Sequence, residues 1–109
     1  MNLPETEWSE EFENFAKNRV SVSYYKYGSA KINFGNHLVD ALKSAEMCRQ
    51  KYLETGNTEY LVDMRNYIMF EFMYPSLPNA IFKATDGNQS AGKHGMSINE
   101  MEQFKEESY

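Results

Sequence analysis

The chain contains very little cysteine and no strongly basic stretch, and each absence excludes some classes of function. Cys48 is the only cysteine among 109 residues, which excludes an internal disulfide and a cysteine-based zinc site. The net charge is −5, and the sequence lacks the lysine and arginine clusters that neutralise a phosphate backbone. We therefore expect little direct affinity for nucleic acid and a preference for basic protein partners.

Long hydrophobic runs are also missing. No window approaches the roughly 20 apolar residues of a membrane span, and no basic region followed by an apolar run is typical of a signal peptide. We expect no membrane association and a location in the cytoplasm. Aromatic residues are plentiful at 15%, enough for one hydrophobic core in a single domain over residues 1–109.

Catalytic signatures are the third absence. Ser90 and Ser97 have neither a strand–turn–helix elbow nor a histidine at a recognisable spacing, so nucleophilic catalysis has no support. His37 and His94 each lack a second histidine or a cysteine at ligand spacing, which argues against a zinc site. The sequence therefore favours binding over catalysis and indicates no cofactor.

Hydrophobic periodicity predicts a mainly α-helical fold. The longest helical pattern covers residues 36–55, and Gly56 follows where a left-handed C-terminal residue is favoured. Asn57 or Thr58 can cap a second helix, which Pro75 ends. Because the turn between them is short, the two helices are predicted to form an antiparallel αα-hairpin core over residues 36–74. The predicted apolar stripes are Leu38, Ala41, Leu42, Ala45, Cys48 and Tyr52 on the first helix, and Leu61, Met64, Ile68 and Phe72 on the second.

Smaller elements are predicted on either side of the hairpin. Residues 1–19 are acidic and carry a helical pattern over 5–18, whereas residues 20–24 alternate with period two, which is typical of a half-buried strand. The only comparable partner is the stretch 80–85. A two-stranded β-ribbon, which would add a minor α+β component, and extended coil are the two alternatives for these stretches.

The C-terminal third is predicted to hold a flexible loop and a last helix. Residues 84–96 are rich in Gly, Ser, Asn and Asp, a composition typical of loops. Residues 97–109 begin with a capping box, Ser97 followed by Glu100, and are predicted to form a short helix.

Two groups of side chains are candidates for contacting a partner. The acidic N-terminal helix has a potential complementary to the basic groove of a nucleic-acid-binding protein, and a glycine-rich loop can hold an anion with its backbone amides. The candidate residues are Glu10, Glu11 and Glu13 on the helix and Asp86, Lys93 and His94 in the loop.

A second kind of site is suggested by Glu59, Asp63 and Asn66, which lie near one face of the second hairpin helix. The string EYLVDMRNY resembles the acidic helix of all-α nucleotide pyrophosphohydrolases, which use such residues to hold magnesium against phosphates. That class also needs a glutamate-rich preceding helix, where this chain offers only Asp40 and Glu46. The alternative interpretation is a dipole-favoured Glu59 and an Asp63 paired with Arg65 or with a neighbouring helix.

The most specific string in the chain is GNTEYLVDMRNYIMFEFMYPSLPNAIFKATD, residues 56–86. It resembles a segment of small proteins from phages, prophages and other mobile elements. The resemblance implies a non-catalytic accessory protein that binds and inhibits a host protein in the bacterial cytoplasm. The most specific form of this expectation is an anti-CRISPR-like inhibitor of a nucleic-acid-binding defence nuclease. A nucleotide-binding protein, which hydrolyses a nucleotide or sequesters a signalling one, and a homodimeric module are the alternatives.

Overall fold

The computed structural model describes residues 3–86 and residue 88, and its regular secondary structure is helical. The helices are α1 (Glu10–Tyr27), α2 (Ala30–Asn33), α3 (Ala41–Thr55) and α4 (Glu59–Met73). No strand occurs among the residues described. The predicted mainly α-helical fold is therefore confirmed.

Helix α1 starts and ends later than the sequence predicts. The Ser9 hydroxyl oxygen accepts a hydrogen bond from the Phe12 N–H at 3.0 Å, so this capping side chain fixes the start of the helix. Gly28, with φ 85°, follows its last residue. Residues 5–7 form a turn before the helix, and the predicted helix over 5–18 is displaced by several residues.

The predicted strand over residues 20–24 is wrong, because these residues belong to α1. Ala16 is fully buried and Val20, one turn later, packs against the core. Val22 and Tyr24 are instead 56% and 59% exposed. Burial along this segment thus follows the helical period and not the alternation of residue types. The predicted partner stretch, 80–85, has no regular secondary structure, so no β-ribbon forms from it.

Local signals set the ends of α3 and α4. His37 has φ 56°, which an α-helix excludes, and α3 begins only at Ala41. Its N-cap residue is Asp40, whose carboxylate accepts from the Lys43 N–H at 3.0 Å. Gly56 ends α3 in the left-handed conformation at φ 70°, as predicted. The Asn57 side chain accepts from the Glu59 N–H at 3.0 Å and caps α4.

Helix α4 is central, because it packs against both α3 and α1. The core cluster joins Phe34, which follows α2, to Ala41 of α3 and Phe70 of α4. The Phe34 and Phe70 rings stack with centroids 4.6 Å apart, and Tyr67 meets Phe34 edge-on at 6.2 Å. A helix–helix core is thus present, while the antiparallel hairpin arrangement of α3 and α4 stays a prediction.

The predicted apolar stripe matches the observed burial of residues better on α3 than on α4. Ala41 and Ala45 of α3 are buried as predicted, although Leu38 and Leu42 are 69% and 50% exposed. On α4 the buried residues are Val62, Asn66 and Phe70, which lie on the face opposite to the predicted stripe. We call the predicted set the outer α4 stripe: Leu61 and Met64, which are half-buried, and Ile68 and Phe72, which are exposed.

The predicted C-terminal helix over 97–109 and the part of the predicted loop beyond residue 88 lie outside the described residues. Residues 84–86 and 88 belong to no helix or strand. Within the described part of the chain, the length and hydropathy of every helix fall short of what crossing a membrane requires.

Candidate functional site

Two arginine–carboxylate pairs join α1 to α4. The Arg19 guanidinium donates to both carboxylate oxygens of Asp63 at 3.0 and 3.2 Å, and it also lies 3.3 Å from Glu59. Arg65 donates to both oxygens of Glu13 at 3.0 and 3.2 Å. The Arg19–Asp63 pair is bidentate, with two nitrogens on two oxygens, and is therefore directional, whereas one Arg65 nitrogen donates to both Glu13 oxygens. Both pairs connect α4 to α1.

Asn66 is the buried polar residue between these two pairs, with 6% of its surface exposed. Its amide nitrogen donates to the Ala16 carbonyl oxygen at 3.0 Å, and its amide oxygen accepts from Arg65 at 3.2 Å. The first bond joins α4 to α1, and the second holds the Asn66 amide against its neighbour within α4.

A cavity of about 270 Å³ lies between α1, α2 and α4. Its apolar lining includes Phe34 and Phe70, and its polar lining includes Arg19, Asp63 and Asn66. The charged residues of the lining are Arg19 and Asp63, which pair with each other and whose charges cancel. Because Arg19 is also engaged by Glu59, the lining offers a phosphate no unpaired cation.

Burial and nearby charge keep two reactive groups protonated: the Tyr67 phenol, which lines the cavity, and the Cys48 thiol of α3. Burial is the main cause that raises the pKa of the Tyr67 phenol above its ordinary 10.0, and it also raises the pKa of the Cys48 thiol above 9.0. The Asp63 carboxylate adds to both shifts. Both groups are consequently neutral at pH 7, and neither is activated as a nucleophile or a base.

The residues predicted for a metal or nucleotide site are engaged within the chain. Asp63 is held by Arg19 of a neighbouring helix, and Glu59 shares the same guanidinium. Asn66 points into the α1–α4 contact. In the described part of the chain, no three or more His, Cys, Asp or Glu side chains converge as a metal site would need.

The residues predicted to contact a partner differ in their exposure and in the contacts that they make within the chain. Glu10 and Glu11 are exposed in the first turn of α1, whereas Glu13 is committed to Arg65. Asp86 accepts a hydrogen bond from the Asn88 N–H at 2.9 Å. The remaining two candidates, Lys93 and His94, lie outside the described residues.

The surface carries large apolar side chains, among them Phe72 of the predicted apolar stripe. Trp8 and Phe15 are each 52% exposed, and Phe72 is 71% exposed. No large side chain in the described part of the chain is fully buried. Exposed apolar side chains of this size make their helix faces candidate interaction surfaces. The sequence signal that points to such a surface is that α4 carries two apolar stripes on opposite faces.

The outer α4 stripe and the exposed side of α1 are thus the candidate interaction surfaces, and the α1–α4 ion pairs hold the two helices in place. Comparisons with protein-family models, with curated proteins and with solved structures find no match for the chain. The functional interpretation of the two surfaces therefore rests on their geometry.

Proposed function

We propose that the protein acts by binding a protein partner through the outer α4 stripe. The observation that carries the proposal is that α4 is apolar on two opposite faces, and the described part of the chain covers one of them while it leaves Ile68 and Phe72 of the other exposed. Val62 and Phe70 are 6% and 8% exposed, whereas Phe72 is 71% exposed. An exposed apolar face of a helix is a candidate interaction surface, so a partner would bury the second face.

The spacing of the stripe favours one mode of recognition. Leu61, Met64, Ile68 and Phe72 lie at i, i+3, i+7 and i+11, the pattern with which an amphipathic helix enters an apolar groove. The Arg19–Asp63 and Arg65–Glu13 pairs hold α4 before binding. This preorganisation reduces the entropy lost when the complex forms.

The finer proposal concerns the identity of the partner. We infer that the partner is a host protein in the bacterial cytoplasm. The most specific form of the proposal is that the partner is a nucleic-acid-binding defence nuclease, which this protein would block as an anti-CRISPR-like inhibitor. The net charge of −5 supports a basic partner, because complementary potentials speed the encounter. Exposed Glu10 and Glu11 contribute to this attraction, and the resemblance of residues 56–86 to phage and prophage proteins agrees with it.

The proposal is tested with phage plating on strains that each carry one defence system. The wild-type protein is expected to restore plating of a targeted phage in the strain whose defence it blocks. The double variant Ile68→Glu with Phe72→Glu is expected to abolish this protection, because two carboxylates at hot-spot positions weaken binding by about a hundredfold or more. Leu53→Glu is the matched control, since Leu53 is a 62% exposed apolar residue of α3.

Two results would contradict the proposal. One is full protection by the double variant, provided that its helical circular dichroism equals that of the wild type. The other is a wild-type protein that leaves plating unchanged in every strain of the panel, which would remove the defence-inhibitor version.

Nucleotide binding is a second candidate function, and the cavity beside Asp63 and Asn66 supports it. If a nucleotide binds there, a panel of nucleoside triphosphates and cyclic nucleotides, with and without magnesium, should raise the melting midpoint, because a ligand at 100 times its dissociation constant adds about 2.7 kcal/mol. A flat panel would remove this candidate. It is the weaker of the two, because Arg19, the cation of the lining, is already paired with Asp63.

A further inference from the structure

Helix α1 carries a second uncovered face, which is separate from the outer α4 stripe. Its residues are spaced four, three, four and four apart, so they lie along one side of the helix. All are exposed, with Phe15 and Val22 at 52% and 56%. We call this the α1 face: Glu11, Phe15, Asn18, Val22 and Lys26. The opposite side of α1 carries Ala16 and Val20, which pack inward.

The charges of the α1 face are arranged with opposite signs at its two ends. Acidic residues lie in the first turn of α1 and Lys26 lies in the last. At the centre of the face is Asn18, an amide that both donates and accepts hydrogen bonds. The order along the face is therefore acidic, apolar, polar, apolar, basic.

When a second copy of α1 runs in the opposite direction, each charged position of the α1 face lies opposite a position of the opposite charge, and each apolar position lies opposite an apolar one. In an antiparallel pair of α1 helices, Glu11 of one copy lies opposite Lys26 of the other, and Phe15 lies opposite Val22. A two-fold axis near Asn18 repeats both contacts, as an isologous interface requires. A parallel pair would instead place like charges opposite each other, which is unfavourable.

We propose that the α1 face is the contact between two copies of this chain, which associate as an antiparallel helix pair. Charge complementarity selects a second copy, because α1 itself supplies both the acidic and the basic half of the interface. Arg19 lies beside the axis, but Asp63 and Glu59 already neutralise its charge. The contact leaves the outer α4 stripe free, so it does not depend on the proposed function.

A single helix pair buries a small area, so the association is weak and concentration-dependent. Sedimentation equilibrium of the full chain, from low micromolar to several hundred micromolar, is expected to show a monomer–dimer equilibrium. By symmetry each single charge reversal, Glu11→Lys or Lys26→Glu, replaces two attractive contacts with two repulsive ones. Each is expected to weaken the dimer by about tenfold or more.

The charge swap gives the decisive measurement. The double variant Glu11→Lys with Lys26→Glu restores opposite charges at both contacts and is expected to recover the wild-type dissociation constant. Glu10→Lys is the matched control for the cost of placing a cation in the first turn, because Glu10 is exposed in that turn but lies off the α1 face. Circular dichroism of each variant checks that α1 remains folded.

Three outcomes would overturn the inference. A wild-type chain that stays monomeric over the whole concentration range would leave the face to another occupant. Single reversals that dimerise as well as the wild type would show that the charges do not meet. Single reversals that weaken the dimer without recovery in the double variant would exclude the antiparallel pairing of these residues.

Discussion

Replacing Phe70 with alanine is expected to lower the free energy of unfolding by about 3–5 kcal/mol, the usual cost of removing a buried phenyl ring. Phe70 is 8% exposed and stacks on Phe34, and the two rings form the core cluster with Ala41. The described core contains few other large side chains, so the surroundings offer little to fill the space. Urea unfolding followed by circular dichroism, at a fixed protein concentration, measures the change through the midpoint.

Phe72→Ala is the matched control, because it removes the same ring two residues further along the same helix. Phe72 is 71% exposed, so its replacement should change stability by no more than about 0.5 kcal/mol. If Phe70→Ala does not fold, Phe70→Leu should still show a smaller loss, under about 1.5 kcal/mol. Equal losses for the two alanine variants would show that the packed face of α4 has been assigned wrongly.

This pair of variants also separates folding from function. Phe70 supports the fold and Phe72 belongs to the outer α4 stripe. Phe72→Ala should therefore reduce partner binding without lowering the unfolding midpoint, while Phe70→Ala acts on stability. The two phenylalanines are alike in chemistry and close in sequence, and only the side of the helix on which they lie gives them different roles.

The boundary between α3 and α4 and the end of α4 are the parts of the fold that the sequence predicts best. Gly56 and Pro75 act through their own backbone preferences, and a side chain such as Asn57 caps a helix through neighbours in sequence. These signals are local, so they need no knowledge of tertiary structure. His37 shows their limit, because its positive φ angle has no counterpart in the residue pattern and it shortens α3.

The packed face of α4 was not predictable from the sequence. Periodicity identifies an apolar stripe, but α4 has two of them, and the choice depends on the contacts that α1 and α3 make. The alternation over residues 20–24 misled for a similar reason. It is a pattern of residue types, whereas Ala16 and Val20 pack inward at helical spacing.

Sequence spacing identified residues of the candidate site, but it did not identify the contacts that their side chains make. Glu59, Asp63 and Asn66 were singled out for their spacing along one helix, yet their partners come from α1, more than 40 residues away in sequence. Nothing in the spacing identifies Arg19 as the cation between the two carboxylates. The alternative interpretation, in which Asp63 pairs with a neighbouring helix, agrees with this geometry.

Replacing Asn66 with leucine is expected to cost about 1–3 kcal/mol of unfolding free energy, because the variant keeps a similar volume but loses two buried hydrogen bonds. The lost partners are the Ala16 carbonyl, at 3.0 Å, and Arg65, at 3.2 Å. The unfolding midpoint, measured by circular dichroism, should fall by several degrees. Asn14→Leu is the matched control, since Asn14 is an exposed asparagine of α1 and its replacement should leave the midpoint nearly unchanged.

The Asn66 variant also distinguishes a structural role from a role in ligand binding. A residue that serves a ligand site commonly costs little stability when replaced, and its removal lowers ligand affinity instead. The hydrogen bond from Asn66 to the Ala16 carbonyl joins α4 to α1, and the bond from Arg65 holds the Asn66 amide in place within α4, so we expect the loss to appear as destabilisation in the absence of any ligand. An Asn66→Leu protein as stable as the Asn14→Leu control would contradict that role. It would then favour the cavity beside Asp63 as the place where Asn66 acts, because a stable fold without these bonds means that the side chain is free to meet a ligand.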